Sequence, residues 1–492
     1  MVRLILGGLA LVLVALAGFV GYRTMAFTAP PPPADVNVPD TAGYTIDVPN
    51  AAAHLSQAVR FRTVSLVAPE DDRKPFEDLQ AWMIATYPAF NAAARRETVN
   101  GLTVIYTWEG SDPGQPPLLL LAHQDVVPVP DDTRAAWTVD PFGGVIQNDA
   151  VWGRGSVDDK GSLVLLLEAA EYLARQGKKP ARTIIFAFGH DEEIGGADGA
   201  VQAAALLQQR GIRAWFALDE GMAAITEHPL TGGPASMIGI SERGFGTLRV
   251  HATGEPGHSS MPPPETAVSL VSEAVVRIHD MPIEQRLEGG PAIDMMRALA
   301  PEISLTNRMA VANEWLFGPL LRQRMAQDRT ARALMGTTVA PTMINGGVRA
   351  NVLPAEATAM INYRFHPRDT AASILERARA EVADMEGVDV DWAEPPREAT
   401  ETSSTTSTSY ALLAALSRSV IPDAPVAPGL VLAGTDSRNY SDVAENVYRF
   451  QPMLFAEDDL AGIHGTNEHL SFANIDRTIR FYVGLMEAGA MQ

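Results

Sequence analysis

The chain has 492 residues, which is too long for one ordinary hydrophobic core and predicts two or three domains. Its 59 acidic and 38 basic residues give a formal net charge of −21, which argues against a nucleic-acid-binding function, since phosphate binding needs extensive clusters of Lys and Arg. The sequence contains no cysteine, so disulfides, thiolate metal sites and cysteine nucleophiles are excluded, and His, Asp and Glu are the candidate metal ligands.

The N-terminal segment is apolar and predicts a membrane-associated element. Residues 4–22 carry no charge and are flanked by Arg3 and Arg23, and about 19 residues is near the minimum length for crossing a bilayer. We expect an uncleaved anchor in residues 1–24, because the apolar run continues beyond a candidate signal-cleavage site at Ala17. The catalytic part would then be membrane-anchored and extracytoplasmic, and secretion after signal cleavage is the alternative.

The next segment, residues 25–49, contains four consecutive prolines at positions 30–33. Proline-rich sequence favours an extended, semi-rigid chain. We therefore predict a stiff linker that holds the catalytic body away from the membrane.

From residue 50 onwards the pattern alternates between strands and helices. Short, continuous apolar runs at residues 117–122, 183–188 and 215–218 are typical of strands buried on both faces of a sheet. Between the first two runs, apolar residues recur at helical spacing over residues 161–176. This order predicts an α/β catalytic domain with a central sheet.

The pattern then changes to one of alternating polarity. Residues 247–252 and 359–365 alternate between apolar and polar side chains, which indicates strands with one face in solvent. Segments 283–299 and 315–334 have helical character. We predict an inserted α+β domain within the catalytic domain. The predicted boundaries are residues 50–243 for the first catalytic part, 244–367 for the inserted domain and 368–492 for the second catalytic part.

Acidic and His-containing segments directly follow the predicted buried strands. Because ligands of open α/β sheets bind at the carboxyl ends of strands, these segments are expected to lie together. Each alone is more typical of a capped turn or a solvated helix start, but their ordered recurrence at successive strand ends predicts a functional site. The segments are HQD at 123–125, VDDKG at 157–161, DEE at 191–193, DEG at 219–221 and IHGTNE at 463–468.

The chain resembles the di-zinc metallopeptidases of peptidase family M20, and within it carboxypeptidase S and the secreted N-acyl-amino-acid amidohydrolases. The motifs that carry the resemblance are, in chain order, LLLLAHQDVVPV, WGRGSVDDKGS, FGHDEEIGG, ALDEG, GEPGHSSMPP, NVLPAEATAMINYRFHP, GTDSRNY and GIHGTNEHLS. They extend over essentially the whole chain from residue 50 to the end. The resemblance implies a zinc-peptidase-type α/β catalytic domain and identifies the inserted domain as a lid and dimerisation domain.

The resemblance also implies two divalent metal ions. One ion would be held by His123, Asp158 and Asp219, and the other by Asp158, Glu193 and His464, so that Asp158 is shared. Glu220 is the alternative to its neighbour Asp219. Two His and three carboxylates without a thiolate suit Zn²⁺, with Co²⁺ or Mn²⁺ as alternatives.

Three further residues acquire catalytic roles through the resemblance. Glu192 would be the general base. Asp125 would orient His123, because a metal-binding His usually donates its other N–H to a carboxylate. His258 would reach from the lid into the site of a partner subunit and stabilise the tetrahedral intermediate, although a His at a strand end is by itself more typical of a polar surface.

The substrate carboxylate also has candidate partners. Asn351 and Arg364 lie at positions that bind the terminal carboxylate in relatives, and the planar fork of Arg suits bidentate pairing with such a group. Gly434 and Thr435 would line the same pocket through backbone N–H groups. Without the resemblance, a strand-end Asn and a surface Arg would be the simpler interpretation.

The predicted function is metal-dependent hydrolysis of an amide bond next to a free carboxylate. A carboxypeptidase that releases the last residue of short peptides is the first interpretation, and an N-acyl-amino-acid hydrolase or condensing enzyme is its alternative. Two hypotheses from other classes are a metal-free carboxylate-binding pseudoenzyme and a membrane-associated scaffold. The expected partners are a small peptide or N-acyl amino acid, the membrane, and a second copy bound through the lid.

Overall fold

A computed structural model describes residues 2–28, 36–66 and 72–491. Its helices are α1 (Val2–Ala26), α2 (Val48–Arg60), α3 (Lys74–Thr86), α4 (Pro88–Ala93), α5 (Lys160–Arg175), α6 (Ala200–Gln209), α7 (Ala267–Asp280), α8 (Pro291–Ala298), α9 (Leu305–Ala312), α10 (Glu314–Met325), α11 (Arg329–Met335), α12 (Ala371–Glu381), α13 (Thr408–Val420), α14 (Glu457–Gly462) and α15 (Phe472–Ala490). Short 3₁₀ turns lie at Thr41–Gly43, Arg134–Ala136, Glu192–Ile194 and Asp436–Tyr440.

The strands follow in the same chain order. They are β1 (Arg95–Val99), β2 (Thr103–Trp108), β3 (Leu118–His123), β4 (Val145–Gln147), β5 (Ala150–Trp152), β6 (Ile184–Gly189), β7 (Phe216–Asp219), β8 (Ala224–Ile225), β9 (Ala235–Glu242), β10 (Gly244–Thr253), β11 (Gly257–His258), β12 (Thr338–Gly346), β13 (Val352–Leu353), β14 (Glu356–Phe365), β15 (Val388–Trp392), β16 (Val426–Val431), β17 (Val447–Arg449), β18 (Leu454–Phe455) and β19 (His469–Ser471).

The central sheet is mixed and contains the strands predicted to be buried. Its order is β1-β2-β6-β3-β7-β17-β9-β8-β18, and β16 pairs with β9. Alternate residues of β3 enter two apolar clusters: Leu120 packs in the cluster of α5 and α15, and Leu121 packs in the cluster of α6. Because helices cover both faces, the strand reads as a continuous apolar run. The predicted α/β architecture with a central sheet is confirmed.

A second sheet, with the order β12-β14-β10-β15, lies apart from the first in its hydrogen bonding. The side chains of β10 and β14 alternate between buried and more exposed positions, and the buried ones pack against α7 and α12. This agrees with the alternation at residues 247–252 and 359–365. We call this sheet with α7 and α12 the second layer. Since β15 pairs with β10, the second layer extends beyond the predicted domain end at residue 367.

The helical segments of the insert differ from their predicted extents. In segment 283–299 the helix begins only at Pro291, the start of α8. Segment 315–334 is divided between α10 and α11, because Asp328 caps a new helix by accepting a backbone N–H with its side chain. Helix α8 and the neighbouring helices bury apolar side chains against β9 and β16.

Helix α1 carries the apolar N-terminal run. Its residues 5–26 are long and apolar enough to cross a bilayer, as a signal sequence also is. Residues 29–35, which include the prolines of the predicted linker, lie outside the described residues. The later part of that linker packs on the catalytic body instead of extending away from it: the Tyr44 hydroxyl donates to Glu487 at 2.7 Å, and Arg480 donates to the Tyr44 carbonyl at 2.9 Å.

Candidate active site

Parallel strand ends bring the predicted acidic segments to one edge of the central sheet. β3 ends at His123, which lies opposite Gly189, the last residue of β6. The turn Glu192–Ile194 follows β6, and β7 ends at Asp219. Since parallel neighbours present their carboxyl ends at the same edge, these segments meet there.

The first group of candidate ligands consists of His123, Asp158 and Glu220. The Nε2 atom of His123 lies 3.0 Å from Oδ1 of Asp158 and 4.0 Å from Oε1 of Glu220. Burial raises the pKa of Glu220 well above its usual range, and the charges of Asp158 and Asp159 raise it further. The group concentrates negative charge that a bound cation would neutralise.

The second group consists of Asp158, Glu193 and His464. The Nε2 atom of His464 lies 3.0 Å from Oδ2 of Asp158 and 3.1 Å from Oε2 of Glu193. Burial favours the protonated form of Asp158, but its hydrogen bonds with His123 and His464 outweigh burial and lower its pKa. Asp158 thus contributes one carboxylate oxygen to each group.

Asp125 joins both groups through hydrogen bonds. Its Oδ1 lies 3.2 Å from Nδ1 of His123, and its two oxygens accept the backbone N–H groups of Glu192 and Glu193 at 3.2 Å each. The Ser65 hydroxyl donates to Oδ2 at 2.8 Å. Nδ1 of His123 also lies 2.9 Å from the backbone carbonyl oxygen of Asp125. Asp125 therefore orients the imidazole through both its carbonyl and its carboxylate, and the carboxylate also fixes the acidic turn. The sequence provided no signal for Ser65.

Glu192 lies on that turn, next to the candidate ligands. Burial raises the pKa of Glu192 well above its usual range; the charge of His123 acts in the opposite direction, and the charge of Asp436 raises it again. A carboxylate with a raised proton affinity is suited to accept a proton and release it later.

Glu468 lies in the predicted segment 463–468, but sequence reasoning assigned it no role. It is completely buried and pairs with Arg154 at 2.6 Å. Its other oxygen accepts the backbone N–H groups of Val157 at 2.8 Å and Asp158 at 3.1 Å. Glu468 follows His464 by four residues. Its hydrogen bonds with Val157 and Asp158 therefore connect the loop that carries His464 to the loop that carries Asp158. Its position inside the GIHGTNEHLS motif was the available signal.

The structure brings Glu220 into the first group in place of the predicted Asp219. The Asp219 side chain turns away and accepts the backbone N–H of Ser437 at 2.8 Å. Burial raises the pKa of Asp219, while its hydrogen bond with Thr435 lowers it. Asp219 therefore stabilises the loop that carries Ser437. Glu220, the alternative ligand, faces His123.

The predicted substrate-binding residues Gly434 and Thr435 lie on that same loop. Thr435 is buried, and its hydroxyl donates to Glu242 at 3.0 Å. Glu242 in turn pairs with the buried Arg449 at 2.7 Å. The Thr435 side chain is thus used in a structural network, whereas Gly434 is exposed beside Arg438.

The predicted lid residues His258 and Asn351 lie in the insert, outside both candidate ligand groups. Both are exposed. His258 ends β11, which pairs with β13, and Asn351 directly precedes β13, where its carbonyl accepts the backbone N–H of Ser259 at 3.3 Å. The imidazole of His258 is bonded within its own turn, to Ser260 at 2.8 Å. Both side chains therefore face outward in a single copy of the chain.

Arg364 occupies a different position, at the end of β14. Its guanidinium carbon lies 4.7 Å from the centroid of the Phe245 ring. Burial lowers the pKa of Arg364, and the charge of Arg438 lowers it further. Arg364 is nevertheless exposed, and Arg438, which lies 3.5 Å from Glu242, is half-buried. Two neighbouring guanidinium groups offer donors for an anion.

The donor set fits divalent cations. It offers two imidazoles and three carboxylates without a thiolate, which is a set that zinc and related ions accept. Within the described residues, Oε1 of Glu193 is buried without a hydrogen-bond partner. An unpartnered buried carboxylate oxygen is costly unless it has a cation beside it, so the residues present match such an ion.

Comparison with known proteins agrees with this chemistry. The profile of peptidase family M20/M25/M40 matches residues 119–488. The N-fatty-acyl-amino acid synthase/hydrolase of Mus musculus is 35% identical over 432 residues, which is 87% of this chain and 85% of that protein. A probable carboxypeptidase S-like protein of Dictyostelium discoideum is 34% identical, over 94% of this chain and 90% of that protein.

Solved structures share the fold. The M20 family metallo-carboxypeptidase Sso-CP2 of Sulfolobus solfataricus matches with a TM-score of 0.60 at 16% identity, covering 89% of this chain and 98% of that chain.

Proposed function

Because the chain belongs to peptidase family M20/M25/M40 and is an enzyme that hydrolyses amides, we propose that it uses two divalent metal ions to cleave an amide bond next to a free carboxylate. The observation that carries this proposal is the position of Asp158, whose two carboxylate oxygens belong to two different groups of His and acidic side chains. A shared carboxylate is what a pair of neighbouring cations requires.

The proposed ligands are the residues of the two groups, with Zn²⁺ as the expected ion and Co²⁺ or Mn²⁺ as alternatives. They are His123, Asp158 and Glu220 for one ion, and Asp158, Glu193 and His464 for the other. Bound there, the ions would polarise the scissile carbonyl and acidify water.

Glu192 is the proposed general base. Its carboxylate takes a proton from the attacking water and returns it to the nitrogen of the leaving amine. Two observations support this role: the raised pKa of Glu192 and the hydrogen bond by which Asp125 holds its backbone. Asp125 is a positioning residue, since it acts through His123 and the acidic turn.

The second layer is proposed to act as a lid and a dimerisation surface. Its edge strand β12 is largely exposed and carries Met343 and Ile344 on its surface. An exposed edge strand is prone to pair with another chain. In a homodimer formed through the second layer, His258 and Asn351 would reach the site of the partner, where His258 stabilises the tetrahedral intermediate.

The free carboxylate of the substrate is proposed to bind at Arg364. The neighbouring charge of Arg438 supports this assignment, because an anion relieves the repulsion between the two guanidinium groups. The backbone of Gly434 lies beside Arg438 and is the remaining candidate contact on that loop.

A long-chain N-acyl amino acid is the proposed substrate. The name of the mouse relative supports an acyl substrate, and so does the apolar helix α1, which is proposed as an uncleaved anchor with the catalytic domain outside the cytoplasm. Secretion after cleavage is the alternative. The second candidate reaction is release of the C-terminal residue of a short peptide, which the name of the Dictyostelium discoideum relative supports.

A hydrolysis panel tests this proposal. Long-chain N-acyl amino acids, their carboxylate-amidated forms and Gly-Leu-type dipeptides would be incubated with the full chain, with and without a chelator. The expected result is chelator-sensitive release of the amino acid from the acyl substrates and little reaction of the amidated forms. Equal rates with amidated substrates would contradict recognition of the carboxylate. A chain that binds no metal and cleaves nothing would favour the pseudoenzyme hypothesis.

A further inference from the structure

Helix α1 is seated on the helices of the insert. The side-chain amide of Asn313, between α9 and α10, donates to the Val20 carbonyl at 3.3 Å and to the Thr24 hydroxyl at 3.1 Å. The rings of Phe19 and Trp315 lie 6.2 Å apart. Asn313 is completely buried by this contact, so the apolar N-terminal helix and the α9–α10 pair form one packed unit.

The contact involves the last apolar turn of α1. The apolar run ends at Arg23, and a helix rises 1.5 Å per residue, so Phe19 lies roughly 6 Å deeper than Arg23 along the helix axis. Trp315 lies beside Phe19 and thus at the same depth. That depth corresponds to the boundary between headgroups and acyl chains, where Trp is enriched in membrane proteins.

The α9–α10 pair exposes large apolar side chains next to this contact. They are Leu305 (62% exposed), Trp315 (53%), Leu316 (40%) and Leu320 (62%). Large apolar side chains between Ile5 and Val14 of α1 are also exposed. The exposed apolar surface of the insert is therefore continuous with that of the membrane-spanning candidate.

Basic residues follow this surface along the chain. Four arginines lie within residues 322–332, where Asp328 is the single acidic residue, in a chain whose net charge is −21. Arg322 pairs with Glu288 at 2.9 Å. Positive charge on the three arginines that follow it along the chain is suited to anionic lipid headgroups.

We propose that α9 and α10 form a membrane-docking surface that lies in the lipid interface beside α1. The docking surface comprises Leu305, Trp315, Leu316 and Leu320. The proposal rests on the proposed retention of α1 as an anchor. It commits to a lipid bilayer as the occupant because the surface continues that of α1 and is followed by positive charge.

Docking would also bring the membrane close to the active site. The apolar cluster under α8–α10 includes Met295 and Met325 of the insert together with Met222. Met222 follows the candidate ligand Glu220 by two residues. An acyl substrate dissolved in the bilayer would therefore meet the enzyme on the side where this cluster approaches the site.

Tryptophan quenching by brominated lipid tests the docking surface without requiring activity. The full chain, verified by intact mass, would be reconstituted in nanodiscs of phosphatidylcholine and phosphatidylglycerol with or without dibrominated acyl chains. Brominated acyl chains should quench Trp315, as expected for a residue at the acyl boundary. Because Trp315 is one of seven tryptophans, the total tryptophan emission should fall by about one seventh. Trp315→Phe should lose this quenching, whereas Trp392→Phe, altered in the second layer, should keep it.

Equal quenching in the wild type and in Trp315→Phe would overturn the proposal, and so would a processed chain that leaves the membrane. Trp315 could instead show no quenching in nanodiscs that hold one chain each and become buried when chains self-associate. That result would assign the surface to a second copy of the chain and would also overturn the proposal. Hydrolysis of a water-soluble short-chain substrate should be unchanged in Trp315→Phe. Failure of the proposed reaction is thereby separated from failure of docking.

Discussion

The Asp125 carboxylate, whose Oδ1 lies 3.2 Å from Nδ1 of His123, accepts the backbone N–H of Glu192 at the same distance. Since the Asp125 carbonyl oxygen also lies 2.9 Å from the same Nδ1 atom, one residue fixes both the orientation of a candidate metal ligand and the position of the proposed base. This arrangement explains how residues from two strand ends can keep a common geometry. Activity should therefore depend on the carboxylate of Asp125 even when it is replaced by a side chain of the same shape.

We expect Asp125→Asn to fold normally and to lose about 10- to 100-fold in activity or metal affinity. The carboxylate of Asp125 now accepts hydrogen bonds from two backbone N–H groups. The side-chain NH₂ of Asn would face one of these donors, and two donors cannot form a hydrogen bond. The measurement is kcat/KM together with chelator titration of bound metal. Asp131→Asn, an exposed change in a nearby loop, is the matched control. Wild-type values in both assays for Asp125→Asn would refute the positioning role.

Glu468→Gln should lower the free energy of unfolding by about 3 kcal/mol, because it leaves the buried charge of Arg154 without its ionic partner. The same change loosens the loop that carries Asp158. Chemical denaturation of the variant checks this value. Glu457→Gln removes an exposed charge on α14 and should have little effect. An unchanged denaturation midpoint for Glu468→Gln would argue against its role in linking the loops.

His366 predicts a dependence of stability on pH. Burial, with the nearby charges of Arg368 and Arg243, lowers the pKa of His366 from its ordinary value of 6.5 to about 3. The folded protein therefore keeps this imidazole neutral, while the unfolded chain binds a proton below pH 6.5. Stability contributed by the neutral form is lost as the pH falls towards 3, by up to about 1.4 kcal/mol per pH unit.

His366→Gln should accordingly show a flatter loss of stability between about pH 6 and pH 4 than the wild type. Thermal or denaturant unfolding at a series of pH values provides the comparison. His279→Gln, at an exposed position of α7, should follow the wild-type profile. Parallel profiles for His366→Gln and the wild type would show that the imidazole does not cause the acid sensitivity.

Subunit mixing tests whether His258 acts in the site of a second copy. His258→Ala and Glu192→Gln should each be nearly inactive alone. In hybrid dimers, one site would combine an intact Glu192 with the partner's intact His258, so random mixing should restore about one quarter of wild-type activity. No recovery after subunit exchange, with exchange verified by mass, would speak against complementation between copies.

Much of the catalytic architecture could be predicted from the sequence, since buried parallel strands read as apolar runs and their ends carry the acidic segments. The choice between Asp219 and Glu220 could not be predicted. It depends on Ser437, which lies 218 positions away in sequence and donates its backbone N–H to the Asp219 side chain. The role of Glu468 was also hidden, as it acts on a backbone N–H that is 310 positions distant.

The extent of the helical insert was predicted less well for a local reason. Its apolar residues fit helical spacing across positions where Asp328 begins a new helix, and a periodic pattern does not reveal such a cap by itself. The packing of the segment around Tyr44 on α15 was missed because composition near the prolines resembles that of an exposed linker.

The central claim is that Asp158 is shared by two metal ions, and metal analysis of the purified full chain tests it most directly. The account predicts two divalent ions per chain in the wild type and in Glu192→Gln, with turnover lost in that variant, and fewer than two ions in Asp158→Ala. A wild-type chain that binds only one ion, or an Asp158→Ala variant that keeps two, would contradict it.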